Sequence, residues 1–132
     1  MEYIKEKAIS DGYVKTLFNR KIFLPGIDSK ISKIKNHAYR QAINAPIQGS
    51  AADIIKLAMF NVYESIKHNN KAKLLLQIHD ELLFEIYSDD DFINLFIKSI
   101  IPIMENSAVP YVDLQVPLVV NSGHGINWND AH

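Results

Sequence analysis

"LLLQIHDELLFEI", which spans Leu74–Ile86, is the stretch of sequence that decides the fold. Two apolar runs in it meet at the polar residues His79, Asp80 and Glu81. Apolar runs of about four to eight residues are typical of buried strands, and two such runs joined by a short polar segment predict an antiparallel hairpin. We therefore predict a hairpin over residues 73–87, with its strands joined through Asp80 and Glu81.

The predicted turn lacks the residue types that favour such a tight connection. Short hairpin turns usually need glycine or asparagine, because their backbone requires positive φ angles. The adjacent carboxylates of Asp80 and Glu81 also repel each other. A cation would relieve both difficulties, and oxygen ligands without thiolates favour Mg²⁺, which completes its shell with water and phosphate. An acidic turn that simply faces water is the alternative, because acids are mostly surface residues.

Upstream of this hairpin, the sequence predicts a smaller hairpin and two helices. Two short strand-like runs around a turn-prone asparagine predict a basic hairpin over residues 12–25. Helices are expected over residues 32–67, with an interruption at Pro46 and Gly49. Ser50–Asp53 has the spacing of a helix N-terminus, so we expect the second helix to begin there.

Downstream of the hairpin, the sequence predicts one helix and a final strand. The helix covers residues 88–104, and its first residues carry carboxylates that suit a helix N-terminus. Residues 116–132 predict a strand followed by a tail. A chain of 132 residues with 48% hydrophobic composition is long enough for one core. We therefore predict a single unit over residues 1–132 with an α+β fold, in which an antiparallel sheet packs on helices.

Composition excludes several classes of protein. The chain has no cysteine, so a disulfide framework and a thiolate metal site are both excluded. No stretch approaches the roughly 20 uncharged apolar residues that a membrane span requires. We expect a soluble, cytoplasmic protein without a membrane partner.

The net charge of −1 conceals two halves of opposite charge. Residues 1–71 carry 12 Lys and Arg against 6 Asp and Glu, whereas residues 72–132 carry 2 against 9. A cationic half is expected of a surface that meets a polyanion, although a solvated charged face explains the composition equally well. A cationic surface followed by a carboxylate that suits Mg²⁺ could bind nucleic acid and perform phosphoryl transfer on it. Between Tyr13 and Arg40 one acid, Asp28, faces seven cations: Lys15, Arg20, Lys21, Lys30, Lys33, Lys35 and Arg40.

Two motifs in the chain resemble those of family A DNA polymerases, of the bacterial DNA polymerase I type. They read "YRQAINAPIQGSAADIIKLAM" at Tyr39–Met59 and "QIHDELLFEI" at Gln77–Ile86. The likeness extends from "GYVKTLFNRKIFLP" at Gly12–Pro25 to "VPLVV" and the closing "NWNDAH", so it covers nearly the whole chain. This resemblance implies the C-terminal part of the polymerase domain, with a palm-type sheet that carries a catalytic hairpin.

The resemblance also implies a role for each polar residue of the hairpin. His79, Asp80 and Glu81 match the second catalytic carboxylate motif of the family. Asp80 would be a ligand of the catalytic Mg²⁺ ions, Glu81 would lie beside the metals, and His79 would lie near the primer terminus. Gln77 belongs to the same motif, and we place it near the primer strand.

Further residues match family positions that contact the template–primer duplex. Arg40, Asn44 and Gln48 suit this role, because an arginine binds phosphate or groove acceptors and amides donate to minor-groove acceptors without distinguishing sequence. Helix capping around the predicted break is the alternative for these three residues. Arg20 and Lys21 are candidates for contact with backbone phosphate, and solvated charge is their alternative.

Part of the family's catalytic machinery is absent from the sequence. Two-metal catalysis needs carboxylates on both sides of the ion pair, and the family's other aspartate lies in an Asp-Tyr-Ser strand motif that this chain lacks. The fingers helix that grips the deoxynucleotide is also missing. We expect a portion of a polymerase that is inactive alone, with apolar surface exposed where the rest would pack. An upstream polymerase chain is a candidate partner.

Two other functions are compatible with the same residues. A metal-dependent phosphohydrolase would use His79 and Asp80 as a metal-binding doublet, with His37 or His68 as further ligands. A non-catalytic nucleic-acid-binding module would retain the basic surface and carry vestigial carboxylates. Tight transition-metal binding would favour the first function, and DNA binding unchanged by Mg²⁺ would favour the second.

Overall fold

A computed structural model of the chain describes residues 2–131, with side chains from residue 6 onward. The structure contains helices and two small antiparallel sheets of two strands each, which confirms the predicted α+β class. In chain order the elements are α1 (Glu2–Asp11), β1 (Tyr13–Lys15), β2 (Lys21–Phe23), α2 (Ser32–Ile66), β3 (Ala72–Ile78), β4 (Glu81–Ile86), α3 (Asp90–Glu105) and a 3₁₀ turn (Trp128–Ala131).

The chain divides into two compact units, which meet in sequence at Ile54 and Ile55 within α2. This division differs from the single unit expected over residues 1–132, and each unit has its own hydrophobic cluster. The first cluster consists of Ala8, Val14, Leu24, Ile27, Ala38 and Ala42. The second cluster consists of Val62, Ile66, Ala72, Phe96 and Ile100.

The smaller hairpin pairs β1 with β2, in the register Val14 opposite Ile22. Its turn uses Asn19 in the left-handed region, with φ of 63°, a conformation that asparagine tolerates better than most residues. The hydroxyl of Thr16 accepts from the backbone N–H of Arg20 at 3.2 Å, which ties the two ends of the turn together. Hydrogen bonds within the turn therefore close it, while Val14 belongs to the first cluster.

Helix α2 runs without interruption through Pro46, and the predicted break at Pro46 and Gly49 is wrong. A proline removes one backbone donor, so the helix loses one hydrogen bond there. Ser50 lies one turn later, and its Oγ donates to the Pro46 carbonyl oxygen at 2.6 Å. Although α2 has 35 residues, no helix among residues 2–131 is long and apolar enough to span a membrane.

Gly49 lets the smaller hairpin approach α2 closely. A Cβ atom at Gly49 would lie 2.7 Å from Ile22 Cδ1 and 2.8 Å from Thr16 Cγ2, closer than carbon atoms normally approach. The next residue, Ser50, accepts a hydrogen bond from the backbone N–H of Leu17 at 2.9 Å. Gly49 and Ser50 therefore serve packing against the hairpin and do not end the helix.

The central hairpin pairs β3 with β4, but its turn differs by one residue from the prediction. The register places Ile78 opposite Glu81, so His79 and Asp80 form the two-residue turn. His79 supplies the positive φ that this turn requires, at 52°. Glu81 is the first residue of β4 and lies outside the turn.

Only part of the β3 surface is buried, although the apolar run predicts a buried strand. Leu74 packs against the second cluster, whereas the side chains of Leu75 and Leu76 are 52% and 45% exposed. The pairing is irregular between Leu74 and Leu76, so consecutive leucines do not simply alternate between the two faces. This strand therefore presents apolar surface to solvent.

Helix α3 covers the second cluster through its apolar stripe. Asp89 caps its N-terminus by accepting from the backbone N–H of Phe92 at 2.8 Å, which agrees with the acidic start expected from the sequence. Phe96 is 7% exposed and contacts the ring of Phe84 edge to face, with centroids 5.3 Å apart. Phe96 therefore joins the helix to the central hairpin.

The strand predicted within residues 116–132 is not formed in the part of the chain that the structure describes. Strands need a paired neighbour, and here the backbone N–H of Val120 donates to the side chain of Glu105 at 3.0 Å. The predicted tail includes His132, which lies outside the described residues. Within the tail, residues Trp128–Ala131 form the 3₁₀ turn.

Replacement of Phe96 by alanine is expected to destabilise the second unit by about 3 kcal/mol, because it leaves a cavity beside Phe84. Leu95→Ala is the matched control, since Leu95 is 67% exposed on the same helix and should change the free energy of unfolding by less than about 0.5 kcal/mol. Urea denaturation followed by circular dichroism measures both. Equal effects of the two substitutions would contradict this packing.

Gly49→Ala tests the approach of the hairpin to α2. Helix propensity alone predicts that alanine stabilises the chain, whereas a close approach of the hairpin predicts that alanine destabilises it. Replacement of glycine by alanine in a helix interior normally raises the free energy of unfolding by about 1 kcal/mol. Overlap with Ile22 and Thr16 should reverse this gain and destabilise the chain by about 1 to 2 kcal/mol. Ala51→Gly, at an exposed helical position, is the control and should cost about 1 kcal/mol. A stabilised Gly49→Ala chain would exclude the close approach.

Candidate nucleic-acid and metal site

The polar residues of the central hairpin lie together at its tip, and we call His79, Asp80 and Glu81 the carboxylate turn. All three side chains are exposed. His79 and Asp80 form the turn, and Glu81 follows as the first residue of β4. Two strands thus hold the turn from both sides while leaving its carboxylates open to solvent.

The carboxylate turn has the donors that a hard cation requires. Asp80 and Glu81 supply carboxylate oxygens, the ligands that Mg²⁺ prefers, and Asp80 makes no ion pair within the described residues. Among the side chains that the structure describes, residues 6–131, no group of three or more His, Asp or Glu is arranged to hold a metal ion. The residues present therefore fit one side of a metal site, and its remaining ligands would have to come from water, phosphate or another segment.

Gln77 supports the backbone of the carboxylate turn. Its Nε2 donates to the carbonyl oxygen of His79, two residues along the chain. The side chain that the sequence places near the primer strand thus has its amide nitrogen engaged within the hairpin. Its Oε1 is the atom left for a role outside it.

Three of the predicted duplex contacts share one side of α2. Arg40, Asn44 and Gln48 are exposed and four residues apart, and we call them the α2 stripe. Because the helix continues through Pro46, the stripe extends over more than two turns without a break. The structure thus excludes the alternative in which these residues cap a helix end. The α2 stripe belongs to the first unit and the carboxylate turn to the second.

A shallow groove on α2 extends the stripe toward the start of the helix. Arg40 forms part of its wall together with two residues one and two turns earlier, Asn36 and Lys33. Tyr39 and Ile43 complete the lining. The described residues that line the groove include no acidic side chain, and their polar groups are a lysine, an arginine, an amide and a phenol.

Arg20 and Lys21, the two predicted phosphate contacts of the smaller hairpin, have different surroundings. Arg20 Nε donates to Asp53 Oδ1 at 2.8 Å, and its Nη2 donates to the Gly49 carbonyl oxygen at 3.1 Å. Lys21 is exposed and lies over the Tyr13 ring, with Nζ 4.4 Å from the centroid. Lys21 therefore keeps its donors accessible, whereas Arg20 is bound to α2.

Sequence reasoning missed the role of Ser50 and Asp53, whose spacing resembles a helix N-terminus. In the structure both residues are inside α2 and both bind the smaller hairpin, at Leu17 and at Arg20. A serine and an aspartate three residues apart in the middle of a long helix could have indicated a partner on another element. That signal lies in tertiary contacts, which the local pattern does not specify.

The further ligands considered for a phosphohydrolase do not join the carboxylate turn in a metal cluster. His37 is exposed on α2, and His68 follows the end of that helix. Neither belongs to a group of three potential ligands among the described side chains of residues 6–131. The His79–Asp80 doublet also lies in a hairpin turn rather than on a helix.

Comparison with known proteins identifies the family. The family model described as DNA polymerase family A matches residues 1–130. The DNA polymerase I of Caldicellulosiruptor bescii is 48% identical over 126 residues, which cover 94% of this chain and 14% of the relative. That of Pseudomonas aeruginosa is 42% identical over 133 residues, which cover 100% of this chain and 14% of the relative.

A solved structure gives the same result in three dimensions. The POL domain of Pol1 from M. smegmatis, in complex with DNA primer-template and dNTP, superposes with a TM-score of 0.86 and is 40% identical. The match covers 98% of this chain and 22% of that chain. This chain thus spans a small part of the length of its relatives. The family match, the sequence identity and the shared fold together show that the chain belongs to DNA polymerase family A.

Proposed function

We propose that the chain is the C-terminal palm portion of a DNA-directed DNA polymerase of the kind used in DNA replication and repair. It supplies one metal-binding carboxylate, Asp80, and the template–primer contacts of the α2 stripe. The observation that carries this proposal is the likeness to a polymerase domain solved with DNA primer-template and dNTP, over 98% of this chain. The DNA duplex and a deoxynucleotide are therefore the partners that we propose.

The chemistry of the carboxylate turn supports the metal part of the proposal. Mg²⁺ held by Asp80, with Glu81 beside it, would activate the primer 3′-hydroxyl and stabilise the pyrophosphate leaving group. The hairpin would hold Asp80 at a fixed position, because both strands and the Gln77 bond restrain the turn. His79 is next to this carboxylate in the turn, and we propose that it lies near the primer terminus.

The charge and spacing of the α2 stripe support the DNA part of the proposal. Arg40 can bind phosphate or groove acceptors, while Asn44 and Gln48 can donate to the minor-groove acceptors common to all base pairs. These contacts carry no sequence preference, as a copying enzyme requires. Lys21 adds an accessible cation on the smaller hairpin.

Exposed apolar side chains support the proposal that this chain works with further polymerase segments. Besides Leu75 and Leu76, large side chains of the C-terminal region are open to solvent, including Val119 at 76% and Ile126 at 95%. Exposed apolar surface of this kind is typical of a face that packs against another segment. One aspartate cannot clamp two metal ions, so we propose that the chain does not polymerise alone.

Primer extension tests the catalytic part. The chain alone is expected to show no Mg²⁺-dependent extension. Mixed with the Caldicellulosiruptor bescii polymerase truncated before the matching segment, it should restore extension, and Asp80→Asn should lower the restored rate by at least about a thousandfold, because Mg²⁺ loses a charged ligand. Extension by the chain alone that Asp80→Asn abolishes would show that it is a complete enzyme. Restored extension that is indifferent to Asp80→Asn would exclude Asp80 as a ligand.

Duplex binding tests the α2 stripe. Arg40→Gln is expected to weaken binding of a primer–template duplex by about tenfold at low salt, and to lower the salt slope by about 0.9 for one lost phosphate contact. Lys98→Gln, on the exposed side of α3, is the control, because it also removes one positive charge but lies outside the α2 stripe. Fluorescence anisotropy over a range of salt concentrations measures both variants. Equal slopes for Arg40→Gln and the unchanged chain would argue against a phosphate contact.

The same assay separates a polymerase site from a non-catalytic binding module. Mg²⁺ should change the affinity of the unchanged chain for a duplex with a recessed 3′ end. It should have less effect on the affinity of the Asp80→Ala variant. Affinity that depends on salt but not on Mg²⁺ or Asp80 would favour the non-catalytic module.

A further inference from the structure

The contacts between the smaller hairpin and α2 converge on the turn of the helix that carries Gln48. Arg20 donates to the Asp53 carboxylate at 2.8 Å and to the Gly49 carbonyl oxygen at 3.1 Å. The Leu17 backbone N–H donates to Ser50 Oγ at 2.9 Å. We call these three hydrogen bonds the hairpin brace.

The location of the hairpin brace points to the α2 stripe. Gly49 and Ser50 are buried and directly follow Gln48, whose side chain is exposed. Gly49 is glycine because the hairpin occupies the space of a side chain, with Ile22 and Thr16 less than 3 Å from a would-be Cβ. The hairpin therefore covers one side of this turn and leaves Gln48 on an open side.

This turn needs support, because Pro46 weakens the helix just before it. The helix loses the hydrogen bond that the Pro46 nitrogen would have donated, and prolines in helices commonly allow kinks. The brace bonds both Gly49 and Ser50 from outside the helix. It therefore restrains the direction of α2 at the point where the stripe passes the proline.

The charges of the brace distinguish it from a DNA contact. The Asp53 side chain is 13% exposed. Its carboxylate accepts the hydrogen bond that Arg20 Nε could otherwise donate to a DNA phosphate. Lys21 lies next to Arg20 in the same hairpin, and among the described residues it has no such partner on α2. An arginine bound to a carboxylate and a carbonyl is suited to hold two elements together.

We infer that Arg20 and Asp53 are positioning residues, which hold the smaller hairpin against α2 and thereby set the reach of Gln48 toward the duplex. This inference rests on the proposed duplex contact of Gln48, and it corrects the role of Arg20 from phosphate ligand to support. Asp53 then favours DNA binding although it is an anion.

The direction in which removal of the Asp53 charge changes DNA affinity provides the decisive test. Removal of an anion near a DNA-binding surface should strengthen binding if charge alone matters. If the brace positions Gln48, Asp53→Asn should instead weaken binding of a primer–template duplex by about threefold, the scale of a partly exposed ion pair. Arg20→Gln should weaken it to a similar extent, and the double variant should be no weaker than either single one, because both remove the same interaction. The salt slope of Asp53→Asn should equal that of the unchanged chain.

Two controls each remove a charge of the same sign as Asp53 or Arg20, but from a residue outside the hairpin brace. Asp28→Asn removes an exposed acid from the loop before α2 and should leave affinity unchanged or slightly higher. Lys21→Gln removes the neighbouring cation and should lower the salt slope. Tighter binding by Asp53→Asn, together with a reduced salt slope for Arg20→Gln, would overturn the inference and make Arg20 a direct phosphate contact.

Hydrogen exchange of the Leu17 amide separates failure of the brace from failure of the proposed function. Arg20→Gln and Asp53→Asn should each increase this exchange rate by about threefold, whereas Lys21→Gln and Asp28→Asn should not. Ser50→Ala removes the acceptor and serves as the positive control. If the unchanged chain binds no duplex, the proposed function fails for the isolated chain. Exchange of the Leu17 amide alone then shows whether Arg20 and Asp53 hold the hairpin against α2. Unchanged exchange in Arg20→Gln and Asp53→Asn would overturn it.

Discussion

The continuity of α2 through Pro46 is the constraint on which the rest of the structure depends. Ala38 and Ala42 of the first cluster precede the proline, and Ser50 and Asp53, which bind the smaller hairpin, follow it. A break at Pro46 would shift these two pairs around the helix axis relative to each other. A proline in a helix interior costs about 3 kcal/mol. The smaller hairpin, which packs at Gly49 and binds Asp53 and the Gly49 carbonyl through Arg20, offsets part of this cost. Continuity of the helix also gives the α2 stripe a single exposed side.

The central hairpin depends on a second local constraint, the positive φ of His79. A side chain in the left-handed region costs about 1 kcal/mol or more, and histidine tolerates this conformation better than β-branched residues do. The Gln77 bond to the His79 carbonyl compensates for part of the cost. The residue type at position 79 thus serves the backbone as well as any chemistry, while Asp80 takes the second position of the turn and remains exposed.

Sequence reasoning succeeded where a local pattern and its tertiary setting agree. The apolar runs around the carboxylate turn predicted the β3–β4 hairpin, and the acidic residues after it predicted the N-terminus of α3, where the structure shows Asp89 as the cap. It failed at Pro46 and Gly49, because both are helix breakers by propensity and α2 overrides them by packing. It also failed at the C-terminal strand, because strand formation requires a partner that no local pattern supplies. Of the candidate site, residue types and spacing were predictable, whereas the partners of Arg20 were not.

The exposure of the carboxylate turn determines how metal binding and folding are related. Considered as sequence alone, adjacent carboxylates predict a bound cation, but the repulsion between two charges in contact with water is small, about 1 kcal/mol at 4 Å. Asp80 and Glu81 are both exposed, and the hairpin closes through backbone pairing and the conformation of His79. Structural metal sites differ, because their ligands come together only when the ion binds. In this hairpin an ion would add little to folding. Under the proposed function, the two carboxylates are therefore held in place before a metal, a duplex or a further polymerase segment binds.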